Sequence, residues 1–128
     1  MKISVFGLGY VGTVSAGCLA ASGHRVWGVD VSADKVAAIN AGKAPIVEPE
    51  ISDVIGRCQA EGTLKATVSP VEGIEATDVS FVCVGTPSHS NGSLDLTYLK
   101  RVCEDIGKAL RTKSTSHTIV FRSTTLPG

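Results

Sequence analysis

The chain has 128 residues, 43% of them hydrophobic, and its 12 basic and 12 acidic side chains give a formal net charge of +0 at pH 7. This length and composition predict one domain with a sizeable core and argue against intrinsic disorder. The balanced charge argues against a nucleic-acid partner, and no apolar run is long enough to span a membrane. Glycines interrupt the apolar start of the chain, unlike a signal peptide, so we expect a cytoplasmic protein.

The first predicted strand, Lys2 to Phe6, runs directly into the sequence Gly-Leu-Gly-Tyr-Val-Gly. In this Gly-x-Gly-x-x-Gly pattern, Gly7 allows a tight turn, Gly9 lets a pyrophosphate approach the backbone, and Gly12 lets a helix pack closely. A helix from about Tyr10 to Ser22 would direct its free N–H groups and its positive dipole end at the phosphates. The motif predicts a dinucleotide site; the alternative is a strand–turn–helix unit that uses glycines only as punctuation.

The second predicted strand, Arg25 to Val29, leads directly into Asp30. A carboxylate at this position accepts hydrogen bonds from the adenosine ribose hydroxyls and repels a 2′-phosphate. The next three residues include no arginine that would favour a 2′-phosphate. The predicted cofactor is therefore NAD rather than NADP.

Strands and helices alternate along the rest of the chain, and the apolar run of the fourth strand predicts burial on both faces. Ser69, Pro70 and Glu72 form a predicted capping box with proline at the first helical position. The predicted elements after Asp30 are strands Leu64–Val68, Asp78–Val84 and Thr118–Arg122, and helices from Ser32 to about Ala41, from Pro49 to about Ala60, after Ser69 and after Asp95.

This alternation predicts an α/β fold, a Rossmann-type doubly wound parallel sheet with strand order 3-2-1-4-5 and right-handed crossovers. A ligand crevice is expected beyond the carboxyl ends of strands 1 and 4, where the strand order reverses. Gly9, Asp30, Thr86 and Thr124 all follow predicted strands, so we expect them along one rim of the sheet. Thr86 and Thr124 would then lie nearer the nicotinamide.

The cysteines and histidines show no metal-like or redox-motif spacing. We expect the four cysteines to be buried structural thiols and the three histidines to be solvated. Cys83 comes closest to the predicted crevice, but it lies in an apolar strand that disfavours a thiolate. The residues concerned are Cys18, Cys58, Cys83, Cys103, His24, His89 and His117.

Several segments resemble the UDP-glucose/GDP-mannose dehydrogenase family over the whole chain. Within that family, 46–49 and 79–88 are most similar to members that oxidise GDP-mannose, and members that oxidise UDP-sugars are the alternative. The segments that carry the family resemblance are Gly7–Gly12, Val84–Pro87, Asp95–Leu96 and Ser123–Gly128.

The resemblance implies cofactor contacts that the motif alone does not give. Lys35, on the helix after Asp30, would approach the adenosine or phosphate end of NAD; the alternative is a solvated surface lysine. Thr124 would orient a water or a substrate group near the nicotinamide, or it is a plain strand-end residue. The residues implied to bind NAD are Gly7, Gly9, Tyr10, Val11, Gly12, Asp30, Lys35, Thr86 and Thr124.

The reaction implied by the resemblance oxidises the C6 alcohol of a nucleotide sugar to a carboxylate in two NAD-dependent steps, with a cysteine nucleophile. None of the four cysteines matches that nucleophile, so we expect residues 1–128 to be the NAD-binding domain of a longer dehydrogenase and to have no activity alone. The family implies a nucleotide-sugar substrate, a homo-oligomer and, for GDP-mannose, a product that feeds alginate-type polymers. A non-catalytic NAD-sensing module is the alternative from another functional class.

Overall fold

The chain folds into alternating strands and helices, and the computed structural model describes residues 1–46, 49–84 and 97–122. The strands are β1 (Lys2–Phe6), β2 (Arg25–Val29), β3 (Leu64–Thr67), β4 (Val79–Val82) and β5 (Thr118–Phe121). The helices are α1 (Tyr10–Ala21), α2 (Ala33–Asn40), α3 (Pro49–Glu61), α4 (Pro70–Glu75) and α5 (Thr97–Thr112). The strands form one parallel sheet in the order β3-β2-β1-β4-β5, which confirms the predicted fold.

Helices cover both faces of the sheet and divide the core into two clusters. On one face, buried side chains of α1, α2 and α3 pack against β1, β2 and β3. On the other face, Ile74 of α4 and the buried stripe of α5 pack against Phe6, Val29 and Val82. This division follows from right-handed crossovers, because connections that run in opposite directions along a sheet lie on opposite faces. The helices within residues 1–46, 49–84 and 97–122 include none with the length and hydropathy of a membrane span.

Local signals place the helix ends where the sequence predicts them. Ser32 caps α2, and its hydroxyl accepts a hydrogen bond of 3.4 Å from the Lys35 N–H. Gly23 and Gly42 follow the ends of α1 and α2 with φ of +98° and +78°, a conformation that glycine adopts without strain. Asp95, the predicted cap of α5, lies outside the described residues.

The predicted capping box of α4 is only half formed. Ser69 accepts a hydrogen bond of 3.3 Å from the Glu72 N–H, as predicted. The Glu72 carboxylate does not return to the Ser69 N–H; it accepts a 2.8 Å hydrogen bond from the Thr67 hydroxyl. Thr67 Oγ1 in turn accepts the Ser69 N–H at 3.1 Å. The Thr67 hydroxyl at the end of β3 thus accepts the hydrogen bond from the Ser69 N–H that a complete capping box would direct to the Glu72 carboxylate.

The predicted burial of the fourth strand on both faces is wrong. Ser80 and Val82 are buried, but Val79 and Phe81 on the opposite face are only half-buried. Among the described residues, α1 covers that face incompletely and leaves a groove of about 540 Å³ beside Phe81 and Arg122.

The prediction of four buried thiols is also wrong in part. Cys58 is buried and Cys83 half-buried, but Cys18 and Cys103 are exposed. Cys103 directly follows the buried Val102 on α5, and one residue along a helix turns a side chain by about 100°. An apolar side chain next to the buried stripe therefore need not belong to it.

Candidate functional site

The turn after β1 requires two glycines for steric reasons. Gly7 has φ of +96°, and its N–H extends the ladder with a 2.8 Å hydrogen bond to Val29 O. A Cβ on Gly7 would lie 2.9 Å from the backbone nitrogen of Val84. A Cβ on Gly12 would lie 1.6 Å from the Gly7 carbonyl oxygen, so α1 packs directly against the turn.

Gly9 plays a different part, because a Cβ there would meet no atom of the described residues within 4 Å. Gly9 is the N-cap of α1 and supplies no side-chain cap. The first helical hydrogen bond runs from Thr13 N–H to Gly9 O at 2.9 Å. Within the described part of the chain, the N–H groups of Tyr10, Val11 and Gly12 therefore have no acceptor. Open space in front of free N–H groups at a helix start suits an anionic group such as a pyrophosphate.

Asp30 is held against the glycine turn by two backbone hydrogen bonds. Its Oδ2 accepts the Leu8 N–H at 2.7 Å, and its Oδ1 accepts the Ser32 N–H at 2.8 Å. A carboxylate oxygen can accept more than one hydrogen bond, so each oxygen keeps capacity for a ligand hydroxyl. The clamp joins the end of β2 to the turn and sets the direction of the carboxylate before any ligand binds.

A cleft beside Asp30 opens beyond the carboxyl ends of β1 to β4. It encloses about 350 Å³, part of it open to solvent, and most of its lining side chains are apolar. Its charged lining residues are Asp30 and Asp105, and no described lysine or arginine lines it. The lining residues are Phe6, Gly7, Val29, Asp30, Val31, Val68, Pro70, Val84, Val102 and Asp105. An apolar cleft with carboxylates at its edge suits an uncharged base and a ribose better than a 2′-phosphate.

Sequence reasoning missed most of this cleft. Val68 directly follows β3 and Val31 lies two residues after β2, and their side chains are 50% and 51% exposed. An exposed apolar residue just after a strand end was the available signal. Val102 and Asp105 come from α5, far along the chain, and no local pattern marks them.

The other residues expected to contact NAD are known only by their positions in the fold. Tyr10 and Val11 are the first two residues of α1, and their side chains are exposed. Lys35 lies in the first turn of α2, five residues after Asp30, and its side chain is half-buried. Thr86 and Thr124 lie outside the described residues.

Cys83 follows β4 near the glycine turn, and its Cβ would lie 3.5 Å from a Cβ placed on Gly12. Burial raises the pKa of its thiol, and the nearby Arg122 guanidinium opposes that shift only in part. Cys83 is therefore mainly a thiol at neutral pH, in agreement with the expectation from sequence. Among the described residues, no three histidine, cysteine or acidic side chains form a group that could hold a metal.

His117 departs from the expectation of a solvated side chain. It is half-buried, and both of its ring nitrogens form hydrogen bonds, with Ser80 and Lys113. It lies at the amino end of β5, whereas the cleft lies beyond the carboxyl ends of the strands. His89 lies outside the described residues.

Comparisons with known proteins agree with this geometry. The model of the UDP-glucose/GDP-mannose dehydrogenase family, NAD binding domain, matches residues 1–128. GDP-mannose 6-dehydrogenase of Pseudomonas syringae pv. tomato is 56% identical over 128 residues, which are 100% of this chain and 29% of that protein. UDP-glucose 6-dehydrogenase of Haloferax volcanii is 41% identical over 127 residues, which are 99% of this chain and 29% of that protein.

Solved structures give the same assignment. The chain matches GDP-mannose dehydrogenase of Pseudomonas aeruginosa, solved as a ternary complex, with a TM-score of 0.98 and 55% identity. That match covers 100% of this chain and 29% of the other, so the chain spans less than a third of the length of this relative. The glycine turn, the Asp30 clamp and these matches together assign the chain to the UDP-glucose/GDP-mannose dehydrogenase family, as its NAD-binding domain.

Proposed function

We propose that this chain holds NAD for a dehydrogenase that oxidises the C6 alcohol of GDP-mannose to a carboxylate. The observation that carries the cofactor assignment is the Asp30 clamp, in which the N–H groups of Leu8 and Ser32 hold the carboxylate against the glycine turn that leads into α1. When bound, NAD would accept a hydride in each of two oxidation steps, which the chemistry of alcohol to carboxylate requires.

The residues of this chain would bind and orient the cofactor. The N–H groups at the start of α1 would bind the pyrophosphate, and Gly9 would leave room for it. Asp30 would accept hydrogen bonds from the ribose hydroxyls. Val31, Val68 and Pro70 would flank the adenine in the apolar cleft. Lys35 would approach the adenosine or phosphate end, and Thr86 and Thr124 the nicotinamide end.

The choice of sugar nucleotide rests on sequence similarity. The chain is 56% identical to the GDP-mannose 6-dehydrogenase of P. syringae and 41% identical to the UDP-glucose 6-dehydrogenase of H. volcanii, over nearly the same residues. We propose GDP-mannose for this reason and keep a UDP-sugar as the second candidate. We also propose that the full-length protein forms a homo-oligomer. Its proposed compartment is the cytoplasm, because all four cysteines are free and free thiols persist under reducing conditions.

The test uses the full-length protein that carries this chain. Purified enzyme is supplied with NAD or NADP and with GDP-mannose or UDP-glucose, and the absorbance of the reduced nicotinamide is followed. The proposal predicts reduction of NAD with GDP-mannose, and much slower reduction with NADP or with UDP-glucose. Reduction with UDP-glucose alone would move the protein to the second candidate. NAD binding without reduction in the presence of either sugar nucleotide would favour a sensing module.

A further inference from the structure

Leu8, the residue between the first two glycines of the motif, is fully buried although it lies in the ligand-binding turn. Its exposed fraction is 0%, and it belongs to the core cluster under α1, α2 and α3. The side chain lies over Gly28 of β2, where a glycine leaves space on that face of the sheet.

The contact between Leu8 and Gly28 leaves no room for a methyl group. A Cβ on Gly28 would lie 2.9 Å from Leu8 Cδ2, 3.3 Å from Cδ1 and 3.6 Å from Cγ. The atoms that an added methyl would strike are at the end of the leucine side chain. Because that side chain is fully buried and enclosed by the core, we expect part of its displacement to pass to the Leu8 backbone.

The Leu8 backbone connects three parts of the candidate site. Its N–H donates to Asp30 Oδ2 at 2.7 Å, and its carbonyl accepts the Thr13 hydroxyl at 3.1 Å. Its neighbours in the chain are Gly7 and Gly9. A displaced Leu8 would therefore move the turn, the Asp30 carboxylate and the first turn of α1 relative to one another.

We infer that Gly28 is a positioning residue for NAD, which acts through the fit of the Leu8 side chain against it. The inference rests on the proposed function, because it concerns the affinity for NAD. Gly28 is not among the described residues that line the cleft, so the proposed effect acts through its contact with Leu8. The affinity for NAD should then depend on the combined volume of the side chains at positions 8 and 28, and not on the volume of either side chain alone.

The experiment measures NAD affinity by titration calorimetry on the 128-residue chain and three variants, Gly28→Ala, Leu8→Val and the double variant. Valine lacks the δ carbons that an alanine at 28 would strike. Gly28→Ala is expected to raise the dissociation constant at least about tenfold, and the double variant to return to within about threefold of Leu8→Val. Gly17→Ala is the matched control, since its Cβ would meet Ile55 and Val54 at an ordinary 3.6 Å. It should bind NAD like the unmodified chain.

Circular dichroism and amide NMR spectra of the ligand-free variants show whether each is folded and whether the Leu8, Gly9 and Asp30 signals have moved. A folded Gly28→Ala variant with unchanged affinity would overturn the inference. If Gly28→Ala does not fold, the double variant decides: recovered folding and binding support the inference, and failure to recover overturns it. Absence of NAD binding by the unmodified chain would instead count against the proposed function. The amide signals would then still show whether Leu8→Val reverses the displacement caused by Gly28→Ala.

Discussion

The side-chain nitrogen of Lys113 lies 2.8 Å from Nδ1 of His117, just after α5 ends. Lys113 Nζ also donates to the carbonyl oxygens of Ile74 and Thr77 at the end of α4. Each of the three ammonium protons of Lys113 thus has an acceptor, and His117 Nδ1 must accept one of these hydrogen bonds. The proton of neutral His117 therefore resides on Nε2, which donates to Ser80 Oγ at 2.7 Å.

This hydrogen bond continues into the buried centre of the sheet. The Ser80 and Ser4 hydroxyls lie 2.5 Å apart, and Ser4 Oγ lies 3.1 Å from Thr77 Oγ1. The Thr77 hydroxyl is the donor at this end of the series, with Ser4 Oγ and the Gly73 carbonyl oxygen, 2.7 Å away, as its acceptors. Each donor has an acceptor only while His117 is neutral, because a proton on Nδ1 would face the Lys113 ammonium.

The chain is predicted to lose stability as the pH falls below about 6.5. Burial and the charge of Lys113 lower the pKa of His117, and Asp78 and the Thr77 backbone oppose them only in part. A lowered pKa means that the unfolded state binds more protons below about pH 6.5, so acid favours unfolding there. The contribution is fully present above the unfolded-state pKa and is lost as the pH falls toward the folded-state value.

Urea unfolding between pH 7.5 and pH 5.5 measures this effect, in a range above the titration of ordinary carboxylates. His117→Gln should flatten the pH dependence of the free energy of unfolding, and His24→Gln should leave it in place. An equal pH dependence in His117→Gln and the unmodified chain would show that His117 is not its source.

Asp30→Ala is expected to weaken NAD binding by about 10- to 100-fold, as is typical when hydrogen bonds to a charged group are lost. NADP binding should weaken less, because the carboxylate that opposes its 2′-phosphate is also removed. Calorimetric titration of both cofactors measures the two constants. Asp34→Ala removes the same charge from an exposed position in the first turn of α2 and should change neither constant by more than about twofold. Stronger binding of NADP than of NAD by the unmodified chain would refute the assignment of Asp30.

The glycines of the motif should respond differently to the same substitution. Gly9→Ala should leave the free energy of unfolding nearly unchanged, because the added Cβ would meet no described atom within 4 Å. It should nevertheless weaken NAD binding, because the methyl group would fill the space in front of the first N–H groups of α1. Gly12→Ala should destabilise the fold by more than about 3 kcal/mol, since its Cβ would lie 1.6 Å from the Gly7 oxygen. Thermal unfolding and NAD titration of each variant separate the two effects. A Gly9→Ala variant with unchanged affinity would remove Gly9 from the binding site.

Asn40 closes the exposed edge of the sheet at β3. Its side-chain amide donates to Ala66 O at 3.0 Å and accepts the Ala66 N–H at 2.9 Å, as a neighbouring strand would. Asn40→Ala should therefore lower the free energy of unfolding by about 1 to 2 kcal/mol. Lys43→Ala, a nearby exposed substitution, should change it by less than about 0.5 kcal/mol. Urea unfolding of the two variants makes the comparison, and an equal effect would show that the paired hydrogen bonds do not stabilise β3.

Features that depend on nearby residues could be predicted from the sequence. The strand β1, the start of α1 at Tyr10 and the cap at Ser32 follow from glycine, apolar and hydroxyl residues within a few positions. The strand order follows from the alternation of strands and helices and from the handedness of the crossovers. The position of Asp30 was also predictable from nearby residues, because the predicted strand Arg25 to Val29 ends directly before it.

Features that depend on distant residues could not be predicted in this way. Glu72 bonds to Thr67 instead of closing its own box, and this depends on where β3 ends relative to α4. His117 was expected in solvent, but Lys113 and Ser80 reach it only once α5 has packed on the sheet. The fit of Leu8 against Gly28 joins the turn after β1 to the strand β2, and neither residue type indicates the other.

The most direct test of the account is an NAD titration of the 128-residue chain followed by amide NMR. Binding at the proposed site should shift the signals of Leu8, Gly9, Tyr10 and Val11 at the turn and of Asp30 and Ser32 after β2. The signals near Lys113 and His117, at the opposite end of the sheet, should stay in place. Shifts at that end, or no shift at the glycine turn with NAD bound, would contradict the assignment of the cofactor site.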